Sequence, residues 1–247
     1  MTESVFILII LLGIGIPIAS FAILLLLGFF EKEFDYLEEK NRRVEIEKEL
    51  HRMEYLQLSQ QIQPHFMFNS LNAMLSLSRL GRTENVTHAL EEFSQFLRYK
   101  YQQKDLLVPF EREKNFTSHY IAVQSIRFGG KLQIEWTIDA AAKSTYLPPY
   151  LLQTLVENAF KHGLEKKMGE KTLHIMLFRE GNWVTLLVRD NGPRWMKEEV
   201  NEFGIGLQNI QKRLSLLFDL YTEVLLERIA EETIAKVVWP YTPEGKI

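Results

Sequence analysis

The chain has 247 residues, a formal charge of −3 and no cysteine. Without thiols it has no disulfide scaffold, no cysteine nucleophile and no thiolate metal site. Its pI near 6.1 supplies no electrostatic drive toward nucleic acid, so no direct nucleic-acid binding is expected.

The N-terminus departs from the average composition. Charged residues make up 25% of the chain, yet Val5 to Phe30 contains none, and 21 of its 26 residues are apolar. As a helix this run would span about 39 Å, enough to cross a hydrocarbon core of about 30 Å once. Met1-Thr2-Glu3-Ser4 lacks the basic start of a secretory signal, which leaves an uncleaved transmembrane helix at 5–30 behind a short extracytoplasmic tail at 1–4. Lys32, Lys40, Arg42 and Arg43 follow the run and no Lys or Arg precedes it. By the positive-inside rule the N-terminus is expected outside and the remainder in the cytoplasm, as a single-pass protein of the cytoplasmic membrane in contact with lipid.

Residues 31–57 are rich in Glu, Lys, Arg, Leu and Gln and free of Gly and Pro, a composition that continues the helix. A seven-residue frame puts Phe34, Asn41, Lys48, Tyr55 and Ile62 at one core position and Leu37, Val44, His51 and Leu58 at the other. The polar members make this a loose coiled coil or a solvated spacer.

Between 58 and 127 three helices are expected. The first, Leu58 to Leu80, is interrupted or kinked at Pro64, and a second runs from Val86 to Gln103 after the turn Gly81-Arg82-Thr83. Their apolar faces, with Phe68, Leu71 and Leu75 on one and Leu90, Phe93, Phe96, Leu97 and Tyr101 on the other, cannot cover themselves. Dimerisation into a four-helix bundle would cover them, so a homodimer is expected. A further helix follows from Phe110 to Arg127.

From 128 to 240 the period changes. Leu132, Ile134, Trp136 and Ile138 alternate as in a half-buried strand, and strands are also expected at Thr172 to Phe178, Trp183 to Arg189, Glu223 to Arg228 and Thr233 to Trp239. With helices at Pro148 to Leu164 and Gly206 to Phe218, this is an α+β domain, a mixed sheet with helices on one face. Residues 241–247 form a C-terminal tail.

Three clusters in that domain carry chemistry. Glu157-Asn158-Ala159-Phe160-Lys161-His162-Gly163 places Asn158, Lys161 and His162 at three- and four-residue spacing on one helical face. Asp190-Asn191-Gly192-Pro193 ends a strand. Gly204-Ile205-Gly206-Leu207 opens a helix whose first amides and dipole favour phosphate. Each alone is an ordinary feature, and their order and separation make the combination specific.

Leu147 to Gly163 resembles the N box of the LytS-like sensor histidine kinase family, and Gln60-Gln61-Ile62-Gln63-Pro64-His65-Phe66-Met67-Phe68-Asn69-Ser70-Leu71-Asn72 resembles its phosphoacceptor motif. The likeness extends from about 56 to 240 and takes in Arg127-Phe128 and Gly204 to Leu214. It implies a dimerisation and phosphoacceptor region followed by an α+β sandwich, the GHKL-type ATP-binding domain. His65 would be the phosphoacceptor, and Asn69, one turn on, would orient its imidazole or a water. Asn158 would be the Mg2+ ligand, and Glu157 a base or an organiser of the metal's waters. Lys161 and His162 would contact phosphate, Asp190 would read the adenine amine with Gly192 allowing close approach, and Gly204 and Gly206 would lie under the polyphosphate. Thr233 would help Asp190 hold the base.

The implied function is that of a membrane-bound sensor histidine kinase of a two-component system, autophosphorylating on His65 from ATP and passing the phosphoryl group to a response regulator. That partner often carries a LytTR-type DNA-binding domain. Two positions depart from the pattern: Arg194 and Glu232 stand where glycines are usual, and a side chain at either could crowd the nucleotide. No carboxylate directly follows His65, so the general base is not evident. The alternative is a membrane-anchored pseudokinase or scaffold that binds a regulator without efficient catalysis.

Overall fold

A computed structural model describes positions 26–46 apart from 28, 31, 35 and 45, residues 64–193 apart from 104, and residues 205–244, with the backbone alone at 64, 65 and 205. The chain divides into two units, Met1–Glu54 and Tyr55–Ile247. In the first, the described positions between 26 and 46 form a helix, α1, on which Arg43 donates to Glu39 at 2.6 Å one turn away. No helix among the described residues is long and apolar enough to cross a membrane. The charge-free run at 5–30 lies almost wholly outside those residues, and so does most of the second half of the expected coiled coil.

The second unit begins with α2 (Pro64–Arg79) and α3 (Thr83–Gln102). Proline suits a first helical turn because its missing amide would have no partner there. Gly81, at φ +68°, closes α2 in the left-handed conformation, so that the Arg82 amide reaches back to the Leu77 carbonyl at 3.0 Å. This bond satisfies a carbonyl the helix end would otherwise leave open and turns the chain into the hairpin. The third helix, α4 (Phe110–Phe128), packs on α3 and also on α5 (Leu151–Asn158).

Aromatic rings fill the junction. Phe66 is 6% exposed, and its ring lies 4.6 Å from Tyr120 and 5.0 Å from Phe96, centroid to centroid. Phe96 stacks on Phe116 at 4.9 Å, and Tyr120 meets Phe160 edge-on at 5.8 Å. Each such pair adds about 1 kcal/mol beyond burial. Because Phe66 is the plug, the backbone of neighbouring His65 is fixed in the first turn of α2. The sequence boundary at 127/128 falls within this packing: one apolar cluster runs from Phe66 and Phe93 through Phe116 and Tyr150 into the sheet.

The sheet contains β2 (Leu132–Ile138), β4 (Lys171–Glu180), β5 (Trp183–Asp190), β6 (Glu223–Ile229) and β7 (Glu232–Pro240), in the order β2-β4-β5-β7-β6. The β2–β4 pair is parallel and the rest are antiparallel, which is the expected mixed sheet. Along β5 buried and half-buried residues alternate without exception, so one face takes Val184, Leu186, Val188 and Asp190 inward. Helix α5 and α6 (Ile205–Leu217) lie against each other and cover that face with Leu155, Leu207 and Leu214. A two-stranded ribbon, β1 (Val108–Pro109) with β3 (Tyr146–Leu147), leads into α5.

Candidate functional site

The expected helix from Pro148 to Leu164 is not uniform. After Asn158, residues Ala159–Gly163 form a π-helical turn, in which the Leu164 amide bonds back to the Ala159 carbonyl, and Leu164–Lys166 tighten into a 3-10 turn. The wider turn changes which residues share a face. Asn158 and His162 both line a cavity beneath α5, whereas Lys161 is exposed and rotated away from it. π turns of this kind recur at functional sites.

The turn also brings Gly163 against the end of β5. A Cβ on Gly163 would lie 2.1 Å from Asp190 Oδ1, and one on Gly192 would lie 2.2 Å from Gly163 Cα. No side chain fits at either position. Between these two backbones Asp190, 4% exposed, accepts a hydrogen bond at Oδ1 from the Gly192 amide at 2.8 Å. Asn191 ties the loop to β4 by accepting from the Thr172 amide at 2.9 Å.

The cavity measures about 120 Å³ and is lined by Leu155, Asn158, Ala159, His162, Val188, Asp190, Leu207, Leu226, Thr233 and Ala235. Six of these ten are apolar, and of the four polar ones Asp190 and Thr233 are cross-strand partners while Asn158 and His162 are one turn apart. A flat ring with hydrogen-bonding groups on one side suits that division. The volume is below the roughly 300 Å³ of a pocket for a whole drug-sized ligand, so the cavity has room for a flat ring of small size only. Gly206, in the first turn of α6, lies beside it: a Cβ there would be 3.2 Å from Thr154 Cγ2 and 3.5 Å from Asn158 Nδ2.

Burial pushes the Asp190 carboxyl up to about 6, while the Gly192 amide and the Arg228 guanidinium pull it down. His162 is held below its ordinary value, chiefly by burial and then by the charges of Lys161 and Lys166. A neutral imidazole is thereby favoured at the cavity edge.

Glu157 does not line the cavity. Its carboxylate accepts from Gln153 Nε2 at 2.6 Å, and burial raises its pKa against the opposing pull of Lys100. Asn69 is half-buried on α2. The His65 side chain, Gly204 and Arg194 are outside the described residues. Glu232 is described, and it forms an ion pair with Arg189 at 3.4 Å, both side chains more than a third exposed. It is not among the residues lining the cavity.

Sequence reasoning assigned no role to Gly163, and passed over Arg228 and the apolar walls Val188, Leu226 and Ala235. The alternation of β5 and β7 could have supplied the walls, since Val188 lies two residues before Asp190 and Ala235 two after Thr233.

Residues 53–132 match the model of the histidine kinase family. The chain is 32% identical over 187 residues to Sensor protein LytS of Bacillus anthracis, covering 71% of this chain and 32% of that protein. It is 33% identical over 189 residues to Sensor histidine kinase YpdA of Escherichia coli, covering 73% and 33%. The aligned part of the chain thus spans about a third of the length of these relatives. The histidine kinase domain of the Erythrobacter litoralis EL346 blue-light activated histidine kinase aligns with a TM-score of 0.44 at 13% identity, covering 79% of this chain and 94% of that one. Motifs, sequence relatives and family match agree, and the chain belongs to the histidine kinase family, among the LytS-like sensor kinases.

Proposed function

We propose that the chain is a membrane-anchored sensor kinase of a two-component system, which uses ATP to phosphorylate its own His65 and passes the phosphoryl group to an aspartate of a response regulator. The observation that carries this reading is the base-sized cavity where Asn158, His162, Asp190 and Thr233 converge, in the same compact unit as the helix that bears His65. Asp190 would accept from the exocyclic amine of adenine, and Thr233 would contact the same edge. Gly206 keeps the start of α6 clear for phosphate, and Gly204 would extend that surface. His162 at the edge and Lys161 outside it would meet the phosphates.

The donor set fits Mg2+ arriving with the nucleotide. Among the described residues no group of three or more His, Asp or Glu could hold a metal ion, and Asn158 offers one carboxamide oxygen. Magnesium commonly keeps waters and phosphate oxygens as its other ligands and, when bound, offsets phosphate charge. In the transfer, an imidazole nitrogen of His65 forms the N–P bond as the bond from the γ-phosphorus to the bridging oxygen breaks, and ADP leaves. Positioning and charge neutralisation supply most of such catalysis. Asn69 would steady the imidazole. Glu157, tied to Gln153 and facing Lys100, would hold the geometry of α5 and would not act as the base.

A homodimer is supported by the apolar stripe that α4 leaves uncovered: Phe68 is 66% exposed, and Leu71, Leu75 and Leu90 are about half exposed. The charge-free run and the basic residues after it support a single-pass lipid anchor with the N-terminus outside and the kinase in the cytoplasm. A LytTR-type regulator is the proposed partner on the family resemblance. The pairing of Glu232 with Arg189, both partly exposed, counts against crowding by Glu232 and so against the scaffold alternative.

Incubating the full-length chain with Mg2+ and γ-labelled ATP tests the reading. The wild type is expected to acquire acid-labile label, and His65→Gln to lose it while binding ATP within about twofold of wild type. Label retained by His65→Gln would refute the acceptor assignment. Wild-type protein that binds ATP and never labels would establish the scaffold.

A further inference from the structure

The register of the sheet sets three polar residues in one row across three strands. Asp190 on β5 is the Cα partner of Thr233 on β7, and Thr233 is the partner of Arg228 on β6. Cross-strand partners share a face, and this is the cavity face. Asp190 and Thr233 are both buried, and Arg228 is half-buried at the outer end of the row.

Arg228 makes three hydrogen bonds there. Nη1 donates to the Thr233 hydroxyl oxygen at 3.0 Å and to the Gly192 carbonyl at 3.0 Å, and Nη2 donates to the Glu231 carbonyl at 2.8 Å. The guanidinium has no acceptor of its own, so the bond to Thr233 has only one polarity. The hydroxyl must accept from Arg228, and its single proton is left to point elsewhere. The Thr233 hydroxyl makes no other hydrogen bond among the described residues, although Asp190 is its neighbour in the row. Its proton is therefore available to the cavity that Thr233 lines.

We propose that Arg228 is a positioning residue that sets the polarity of the Thr233 hydroxyl, so that Asp190 and Thr233 present an acceptor beside a donor. That pair complements adenine, whose exocyclic amine donates and whose ring N1 accepts. It opposes guanine, whose 6-oxo group accepts and whose N1–H donates. Without Arg228 the hydroxyl is free to turn its proton to the Asp190 carboxylate and present its lone pairs to the base, which guanine N1–H can use and adenine N1 cannot. The same guanidinium stabilises the ionised form of Asp190 and grips the carbonyl of Gly192, so both halves of the pair depend on it. This inference rests on the nucleotide-binding reading of the cavity.

The test compares dissociation constants of the full-length chain for ATP, for its 1-deaza analogue, in which a C–H replaces the N1 acceptor, and for GTP. The wild type is expected to prefer ATP to the 1-deaza analogue by about tenfold, the worth of one hydrogen bond in a dry site. In Arg228→Met that gap closes to within about twofold, and GTP binding holds or improves while ATP binding falls. A general loosening of the loop would weaken all three nucleotides together and leave the gap intact. Arg228→Lys keeps the charge but reaches fewer of the three acceptors, and there the gap narrows too. A full tenfold gap in whichever variant folds would overturn the proposal, and so would a gap that survives Thr233→Val. Failure of the wild type to bind ATP at all would defeat the nucleotide reading itself.

Discussion

Asp190 and Glu113 are both carboxylates in the interior, 4% and 0% exposed, and burial pushes both up, to about 6 and about 7. Their surroundings differ. Glu113 on α4 uses one oxygen twice, accepting from the Tyr150 amide at 2.7 Å and from the Tyr99 hydroxyl at 3.2 Å. The positive charges of Arg213 and Lys100 offset it, and it is not among the residues lining the cavity beside Asp190. Tyr150, which it holds, sits at φ +65°, a left-handed conformation that costs a non-glycine residue about 1 kcal/mol. The ring of Tyr150 lies under Lys100 Nζ at 4.2 Å, and its hydroxyl donates to the Lys100 carbonyl at 2.9 Å. Glu113 thus pins the strained entry to α5 onto the hairpin. Asp190 has one bond from its own loop and an opening in front of it. A raised carboxyl marks burial in both places, and only the cavity distinguishes a ligand-reading group from a structural one.

Isosteric or truncating substitutions should therefore change the two sites in opposite ways. Asp190→Asn keeps the acceptor for Gly192 but would turn a donor toward the proposed position of the adenine amine. ATP affinity should fall by more than about a hundredfold, as when a buried polar edge is mispaired. Stability without ligand should rise, because ionising Asp190 at neutral pH works against a carboxyl that burial pushes from its ordinary 3.8 up to about 6. That difference bounds the gain at about 3 kcal/mol. Urea unfolding and equilibrium nucleotide binding on the same preparation measure both. A variant that loses affinity and stability together would make Asp190 a structural residue like Glu113.

Glu113→Ala is the next largest effect. It strands the Tyr150 amide and the Tyr99 hydroxyl and removes one of the negative charges that offset Lys100 and Arg213, leaving Glu157 to offset Lys100. A loss of about 3 kcal/mol in urea unfolding is expected, with ATP affinity of the folded fraction within about threefold of wild type. An affinity loss as large as that of Asp190→Asn would erase the distinction between the two sites.

How much of this was legible in the sequence depends on how local each signal is. The five main strands and the helices stood out because their periods repeat over seven or more residues, and Asp190, Asn158 and Thr233 because motif spacing marks them. The π turn at Ala159–Gly163 left no such mark: Ala, Phe, Lys and His continue an α-helix as readily, and the widening is stabilised by the fit of Gly163 against Asp190 and Gly192. Helical spacing therefore put Lys161 on the face of Asn158, and the wider turn takes it off. Glu113 and Arg228 were invisible for a related reason. A charged residue on an amphipathic helix or an edge strand reads as solvated, and only the tertiary register shows that one anchors Tyr150 and the other grips Thr233. The apolar stripe of the hairpin was legible in part, since α4 covers one side of it within the same chain.

Lowering the pH separates the two carboxylates without mutation, and gives the smallest of these effects. For each, the folded pKa lies above the unfolded one, so the folded state binds the proton more tightly, and ligand-free stability rises as pH falls through the folded value. From above 7 down to about 6 Glu113 is the first of the two to titrate, and it is not among the residues lining the cavity. Over that interval stability should rise while affinity for adenosine, a probe with no phosphate to titrate, stays constant. Below about 6 Asp190 takes up its proton and loses the acceptor proposed for the adenine amine. Affinity should then fall by up to tenfold per pH unit, the limit for a single proton that must be lost on binding. Stability should continue to rise until the unfolded value near 3.8 is approached. Glu113→Gln should flatten the upper part of the stability curve and leave the binding curve where it was. A binding midpoint that moved with Glu113→Gln would place the two carboxylates in one coupled system, linked through Tyr150 and α5.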